Sequence, residues 1–249
     1  MKVALLYLYV VSPGSSSSFN SNSYAASAKR FADSYRKYPA GTDHDLHVVC
    51  CNGPKDAIVQ DIFKGIKCVY DRYDGPGLDI GTHQHMATVL DCDFMVCTSS
   101  MTHFRKEGWL DWFVIARRMH GDGLYGSMGS MQGCPFMPWN KPNPHIRTCF
   151  YALSPAMMNE YPNKIVTKED SFAFESGPES ITVRTVNKNM PVMMVTWDGA
   201  FTVDNWRTYK NIYCRGDQSA LLSFDRWTDT YEASDPGMKA RLEAQADGR

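Results

Sequence analysis

YDRYDGPGLDIGTHQHMATVLDCDFMVCTSS, residues 70–100, reads in order as a Gly-rich turn, an amphipathic helix, an acidic knot, a short apolar strand and a small polar loop. The helix is expected from Gly81 to Leu90 and the strand from Phe94 to Cys97. A polar loop directly after an apolar strand is where an open α/β sheet meets its ligand. Upstream, Val3 to Val11 is β-branched and aromatic without charge, the pattern of a strand buried on both faces. Ser12 to Ser23 is a Ser/Gly/Asn loop. Ala25, Ala28, Phe31, Ala32 and Tyr35 then share one helical face, with Ser23 as N-cap and Pro39 as stop. Asp45 to Cys51 predicts a second strand, Asp56 to Lys64 a short helix and Ile66 to Tyr70 a third strand. Strands alternating with helices predict a doubly wound, mostly parallel sheet flanked by helices.

The second half changes character. Gly108 to Met119 predicts a helix with Trp109, Trp112, Phe113 and Ile115 facing inward, followed by a Gly/Ser/Met-rich stretch from Gly123 to Gly133. Cys149 to Leu153 and Val192 to Thr196 read as strands, and Pro155 to Glu160 and Glu179 to Asn189 as helices. The segment from Asp235 to Arg249 is polar and helical by propensity, and a peripheral tail is expected there. No repeat or long linker divides the chain. The expectation is one domain over 1–234, with a nucleotide-binding half at about 1–107, an acceptor half at 108–234 and the tail at 235–249.

Composition narrows the function. The chain has 249 residues, 43% hydrophobic and 21% charged, as in an ordinary globular protein. A net charge of −1 gives no footprint for general nucleic-acid binding. No apolar run approaches the roughly 20 residues of a membrane span. The opening MKVALLYLYVVSPGSSSS alternates like a strand and offers a poor cleavage site, so no secretory signal is read. The eight cysteines form no C-x-x-C pair and lie mostly in apolar runs, as small hydrophobes of a reduced, cytoplasmic protein.

Several residues could carry chemistry. The loop opening at Ser12 follows a buried strand and precedes a helix, so its donors can face a nucleotide, although it is neither G-x-G-x-x-G nor a P-loop. Asp79, within GPGLDIG, either caps the helix or grips a ribose or base edge. His83 and His85 point about 200° apart on a helix and cannot share a metal easily. Asp91 and Asp93 form D-C-D ahead of the strand, whereas Thr98, Ser99 and Ser100 follow it. His145 and Arg147 precede an apolar strand and could reach a phosphate; Trp139, Trp197 and Trp206 could stack on sugar faces.

This order resembles the GT-A glycosyltransferase fold: strand, Ser-rich loop, strand, a GxDIGxxQxxA helix, then D-x-D, strand and polar loop. It is most similar to small enzymes of bacterial and viral polysaccharide synthesis related to glycosyltransferase family two. FRKEGWLDWF, GLYGSMGS, NPHIRTCFYALS, EDSFAFESGPESIT, VTWDG and RGDQSALL agree with the resemblance, which spans roughly Lys2 to Tyr231. It implies transfer of a sugar from a nucleoside diphosphate sugar of UDP or GDP type to a glycan or other hydroxyl. It also implies Mn²⁺ or Mg²⁺ held by a D-x-D, which here means Asp91 and Asp93. Because the D-C-D stands before the strand, the hydroxyls of Thr98 to Ser100 are expected to line the pocket instead, and metal independence is favoured. Inverting transfer needs a base. Asp170 and Glu175 in KEDSFAFESG are the candidates, with Asp198 in TWDG third; the segment is read as polar residues lining a cleft. The rival readings are a sugar nucleotidyltransferase and a non-catalytic nucleotide- or sugar-binding module.

Overall fold

The computed structural model of the chain describes residues 1–11, 21–137, 141–206, 208 and 213–249, with the backbone alone for 21–23. Ser12 and Trp139 lie outside the described residues. The strands are β1 (Val3–Val10), β2 (Asp45–Cys51), β3 (Val69–Tyr73), β4 (Phe94–Thr98), β5 (Leu124–Gly126), β6 (Gly129–Ser130), β7 (His145–Ile146), β8 (Phe150–Leu153), β9 (Val192–Thr196) and β10 (Gly199–Thr202). The α-helices are α1 (Ser21–Lys37), α2 (Ala57–Ile62), α3 (Leu78–Val89), α4 (Trp109–His120), α5 (Pro155–Asn159), α6 (Lys168–Ser176), α7 (Ile181–Asn187), α8 (Arg226–Ala233) and α9 (Pro236–Ala246).

Eight strands form one sheet in the order β10-β9-β5-β8-β4-β1-β2-β3, and β6 pairs with β7 apart from it. The pairs β1/β2, β2/β3, β1/β4 and β5/β9 are parallel; β8 runs against β4 and β5, and β10 against β9. The sheet is therefore mostly parallel with a mixed half, the α/β architecture expected from the sequence. Every residue of β1 is buried, because helices cover both faces. Period-two alternation divides the chain between two cores. Leu5, Tyr7 and Tyr9 pack toward α1 and α4, with Tyr7 stacked 4.0 Å from Phe31, while Leu6, Met95 and Cys97 pack toward α3, α5, α6 and α7.

The chain order reverses between β1 and β4: β2 and β3 lie on one side of β1, and β4 with the later strands on the other. A crevice outside the carboxyl ends of β1 and β4 follows, and the polar loop after Thr98 opens into it.

Several expectations shift. The third strand runs from Val69 to Tyr73, three residues later than read, because Asn52 at its partner's end donates to the Tyr73 carbonyl and fixes that register. In α4 Ile115 is exposed, whereas Leu110, Val114 and Ala116 are buried beside Trp109 and Phe113. KEDSFAFESG, read only as a polar segment lining a cleft, forms α6, started by a capping box in which Thr167 and Asp170 satisfy each other's backbone N–H groups. The terminal segment is mostly exposed, as a peripheral tail would be, and its end is tied down: Met131 N–H donates to the Ala246 carbonyl (2.8 Å), Asp247 pairs with Arg215, and Ala246 is fully buried. Among the described residues no helix is long and apolar enough to cross a membrane. All eight cysteines are free thiols, and burial pushes Cys50 and Cys51 up to about 12.

Candidate functional site

A cleft of about 490 Å³ lies at the carboxyl edge of the sheet. Its floor is Ser99, Ser100 and Met101 after β4, with Thr148 and Cys149 before β8. One wall is the start of α3 (Gly77 to Ile80) and the segment from Val166 through α6 to Glu175. The other is Asp225, Arg226 and Trp227 at the start of α8, with Tyr24 of α1 nearby. Arg147 lies among them.

The loop after β4 is held by its own hydroxyls. Thr98 is fully buried and donates to the Leu6 carbonyl (2.9 Å), so it anchors β4 to β1 and is not part of the lining. Ser99 Oγ accepts from Met101 N–H (3.3 Å) and lies 3.2 Å from Thr102 Oγ1; the Ser100 carbonyl accepts from Tyr7 OH (2.9 Å). The α8 wall is fixed to this loop by a two-way backbone bridge between His103 and Phe224, both bonds 2.9 Å.

Arg147 and Glu175 form the charged centre. Arg147 Nη1 donates to Glu175 Oε1 at 2.7 Å, and its guanidinium lies 4.4 Å from the Tyr213 ring centroid. Glu175 is 6% exposed, and its Oε2 accepts from the Thr148 amide (2.9 Å) and hydroxyl. Burial works against its charge, but Arg147, His145 and the two Thr148 donors hold its carboxyl below the usual range. Burial likewise works against the Arg147 charge, and Glu175 outweighs it. Both carboxylate oxygens are thus taken, and Glu175 serves to aim Arg147. His145 stands behind this pair rather than in the cleft: it is buried, its Nδ1 donates to the Asn143 carbonyl (2.8 Å), and burial pushes it down to about 4. Its Nε2 and the Arg147 Nε are buried without a partner among the described residues.

Two further carboxylates face the cleft. Asp79 is not the cap of α3; that position is Gly77, left-handed at φ 81° and without a side-chain bond. Asp79 sits in the first turn, where burial raises its pKa, Lys168 draws it down and Glu175 adds to the rise. Asp225 is 4% exposed and caps α8, its Oδ1 accepting from the Trp227 and Thr228 amides at 2.8 and 3.0 Å. Burial raises its pKa, against those amides and Arg147.

The remaining expected residues are elsewhere. Asp170 Oδ2 accepts from Val166 N, Thr167 N and Thr167 Oγ1 at 2.8–3.0 Å and does not line the cleft; these bonds lower its pKa. Asp198 lies in the β9–β10 turn, its amide donating to Thr196 Oγ1, outside the lining. Trp197 donates to the Leu221 carbonyl (2.9 Å) beneath Lys106 Nζ, 4.2 Å from its ring. Trp206 is a core residue. Asp91 and Asp93 flank the entry to β4, the opposite end of the strand from Thr98. That is a separation of about 16 Å over five residues at ~3.3 Å each. Asp91 pairs with Lys2 Nζ (2.9 Å) and Asp93 accepts from the Lys2 amide (2.6 Å). This donor set does not fit a cation on a ligand in the cleft. Among the described residues no group of three or more His, Cys, Asp or Glu is placed to hold a metal. His83 and His85 part as their spacing predicts: His83 meets Tyr151 OH (3.0 Å) in the core and His85 stacks on Tyr73.

Sequence reading missed Asp225, Arg226, Trp227 and Lys168. The signal for the first was present: SFDRWT carries a D-x-x-T capping box, in which Asp225 and Thr228 satisfy each other.

No family model matches the chain, and no curated protein matches it by sequence. Solved structures give matches of low identity. HddC from Yersinia pseudotuberculosis is 11% identical with a TM-score of 0.45, over 68% of this chain and 84% of that one. Mouse xyloside xylosyltransferase 1, in its apo form, is 10% identical with a TM-score of 0.49, over 76% and 83%. The galactosyltransferase LgtC, solved with donor and acceptor sugar analogues, is 11% identical with a TM-score of 0.45, over 70% of this chain and 64% of that one. The chain is similar to these proteins, and at such values the likeness decides nothing about the chemistry of the cleft.

Proposed function

We propose that the chain is a glycosyltransferase that moves a sugar from a nucleoside diphosphate sugar, of UDP or GDP type, to an acceptor hydroxyl. The observation that carries this reading is the half-buried Arg147, aimed by Glu175 into a cleft at the switch point of the sheet and faced there by Asp79 and Asp225. Breaking a glycosyl–phosphate bond puts negative charge on the leaving diphosphate. A fixed cation in a partly desolvated cleft offsets that charge without reorganising at the moment of reaction. Arg147 supplies it, with Lys168 and Arg226 along the same cleft. Asp79 accepts hydrogen bonds from ribose or sugar hydroxyls. Asp225 takes the acceptor proton through Oδ2, since Oδ1 holds the helix cap; a carboxylate raised by burial lies nearer the working pH and is the better base. Asp91 and Asp93 take no part. Synthesis of a glycan or polysaccharide is the setting that fits this chemistry.

Titration calorimetry with UDP and GDP tests the reading. One of them should bind in the micromolar range and the matching nucleotide sugar should be slowly hydrolysed. Arg147→Gln should weaken binding roughly 10- to 100-fold, the value of a charged hydrogen bond. Absence of binding by either nucleotide at millimolar concentration refutes it.

A further inference from the structure

Three of the large apolar side chains that the fold leaves exposed stand around the mouth of this one cleft. Leu78 is 40% exposed, Val166 45% and Trp227 40%, and all three line it. Phe172 joins them, packed edge to face with Phe136, the ring centroids 5.7 Å apart. The wall bearing Leu78 and Val166 is tightly fitted. A Cβ on Gly77 would lie 2.4 Å from the Ile165 carbonyl oxygen, and one on Gly81 3.1 Å from it. The two apolar side chains are thus held by backbone packed against backbone.

Leu78 is also strained. Its φ is +30°, in the left-handed region that costs a bulky side chain and that Asn or Gly would occupy more cheaply. Its exposure means that core burial does not repay the strain. Residues held this way concentrate where a ligand uses them. Leu78 and Val166 are aliphatic and offer no hydrogen bond. The polar edge of a nucleobase or sugar ring placed against them would lose water without gaining a partner, whereas an alkyl or aryl group would not. Lys168 Nζ lies 4.9 Å from the Phe172 ring centroid and the Arg226 guanidinium 5.2 Å from that of Trp227, so the mouth is an apolar surface with cations on its rim, and the polar side chains of Arg147 and Glu175 stand beyond it.

We propose that the mouth of the cleft is a subsite for the apolar arm of the acceptor, an alkyl or aryl group attached to the alcohol that receives the sugar. Naming the occupant the acceptor rests on the glycosyl-transfer reading. Calorimetry of the full chain with methyl and hexyl β-D-glucopyranoside tests the subsite without turnover. A fully buried methylene is worth roughly fourfold in affinity, so partial burial of the five added methylenes should make the hexyl compound at least about tenfold tighter. Leu78→Asn suits the left-handed backbone and removes one apolar contact, and Trp227→Ala removes another; each variant should reduce that ratio to about two or less. Equal binding of the two glycosides, or a ratio undiminished in both variants, overturns the proposal. UDP and GDP are titrated into the wild-type chain in parallel. If neither binds while the ratio holds, the donor reading fails and the apolar subsite stands.

Discussion

Replacing Glu175 by Gln removes a negative charge from the cleft and leaves Arg147 without its ion-pair partner. Glu175 is 6% exposed and accepts from Arg147 at 2.7 Å, from the Thr148 amide at 2.9 Å and from the Thr148 hydroxyl. Deleting one partner of a buried pair costs about 3–5 kcal/mol, because the other charge stays desolvated. The Gln carbonyl retains one acceptor, which sets the expected loss at the low end, about 3 kcal/mol. For a chain of this size that is a fall in Tm of roughly 6–12 °C. The exposed Lys29–Asp33 pair is the control, and Asp33→Asn should leave Tm unchanged. The folded Glu175 pKa lies below its ordinary value, so its contribution is present above the unfolded pKa of about 4.3 and is lost as pH falls through the lower folded value. The difference between wild type and Glu175→Gln should therefore be flat from about pH 7 to 5 and narrow below about 4. Thermal and urea unfolding across that range provide the assay. The pair Arg147→Met with Glu175→Leu should recover most of the lost stability while binding no nucleotide. A fall in Tm below about 2 °C for Glu175→Gln would refute the claim that Arg147 is held in a desolvated pair.

Asp225→Asn preserves the α8 cap, so urea unfolding should change little, while turnover falls about 100- to 10,000-fold if Asp225 is the base; wild-type turnover at saturating donor excludes that role. Asp170→Ala should cost about 1 kcal/mol through the lost capping box and leave nucleotide affinity intact, so a selective loss of turnover would return Asp170 to the chemistry. Asp91→Asn with Asp93→Asn should leave UDP and GDP affinity unchanged by calorimetry, since both residues sit at the far end of β4; a large loss would put a cation site there. His83 and His145 are buried and pushed down to about 4, so below an unfolded pKa of about 6.5 the unfolded chain binds protons that the folded chain does not. Stability should fall as pH drops from 6.5 toward 4, by up to about 1.4 kcal/mol per pH unit per histidine, and His145→Gln should flatten the curve.

The alternation of apolar strands and amphipathic helices in residues 3–98 was enough to determine a doubly wound sheet. Periodicity is a local property, and strands that alternate with helices in the chain are joined by crossovers that return them parallel, as in β1, β2, β3 and β4. The same locality made Asp45–Cys51 and Val192–Thr196 legible to the residue. The lining of the cleft was legible in pieces: Asp79, Ser99, Ser100, Arg147 and Glu175 could be named and do line it, but not what each would face. Asp170 and Glu175 are five residues apart in one polar segment, and residue type alone does not distinguish them. Helix α6 does, by spending the first on its own N-terminus and turning the second, more than one turn later, onto Arg147. Asp91 and Asp93 look close to Thr98 in the chain, yet the extended strand between them carries them to the other edge of the sheet. Asp225 and Trp227 reach the cleft from more than 120 residues beyond Ser100, through a backbone bridge between Phe224 and His103. Hydrophobic pattern and capping chemistry act within a turn or two of the chain, so the sequence determined the layers. Which charges meet across the carboxyl edge depends on contacts between distant segments, and only the tertiary structure decided that.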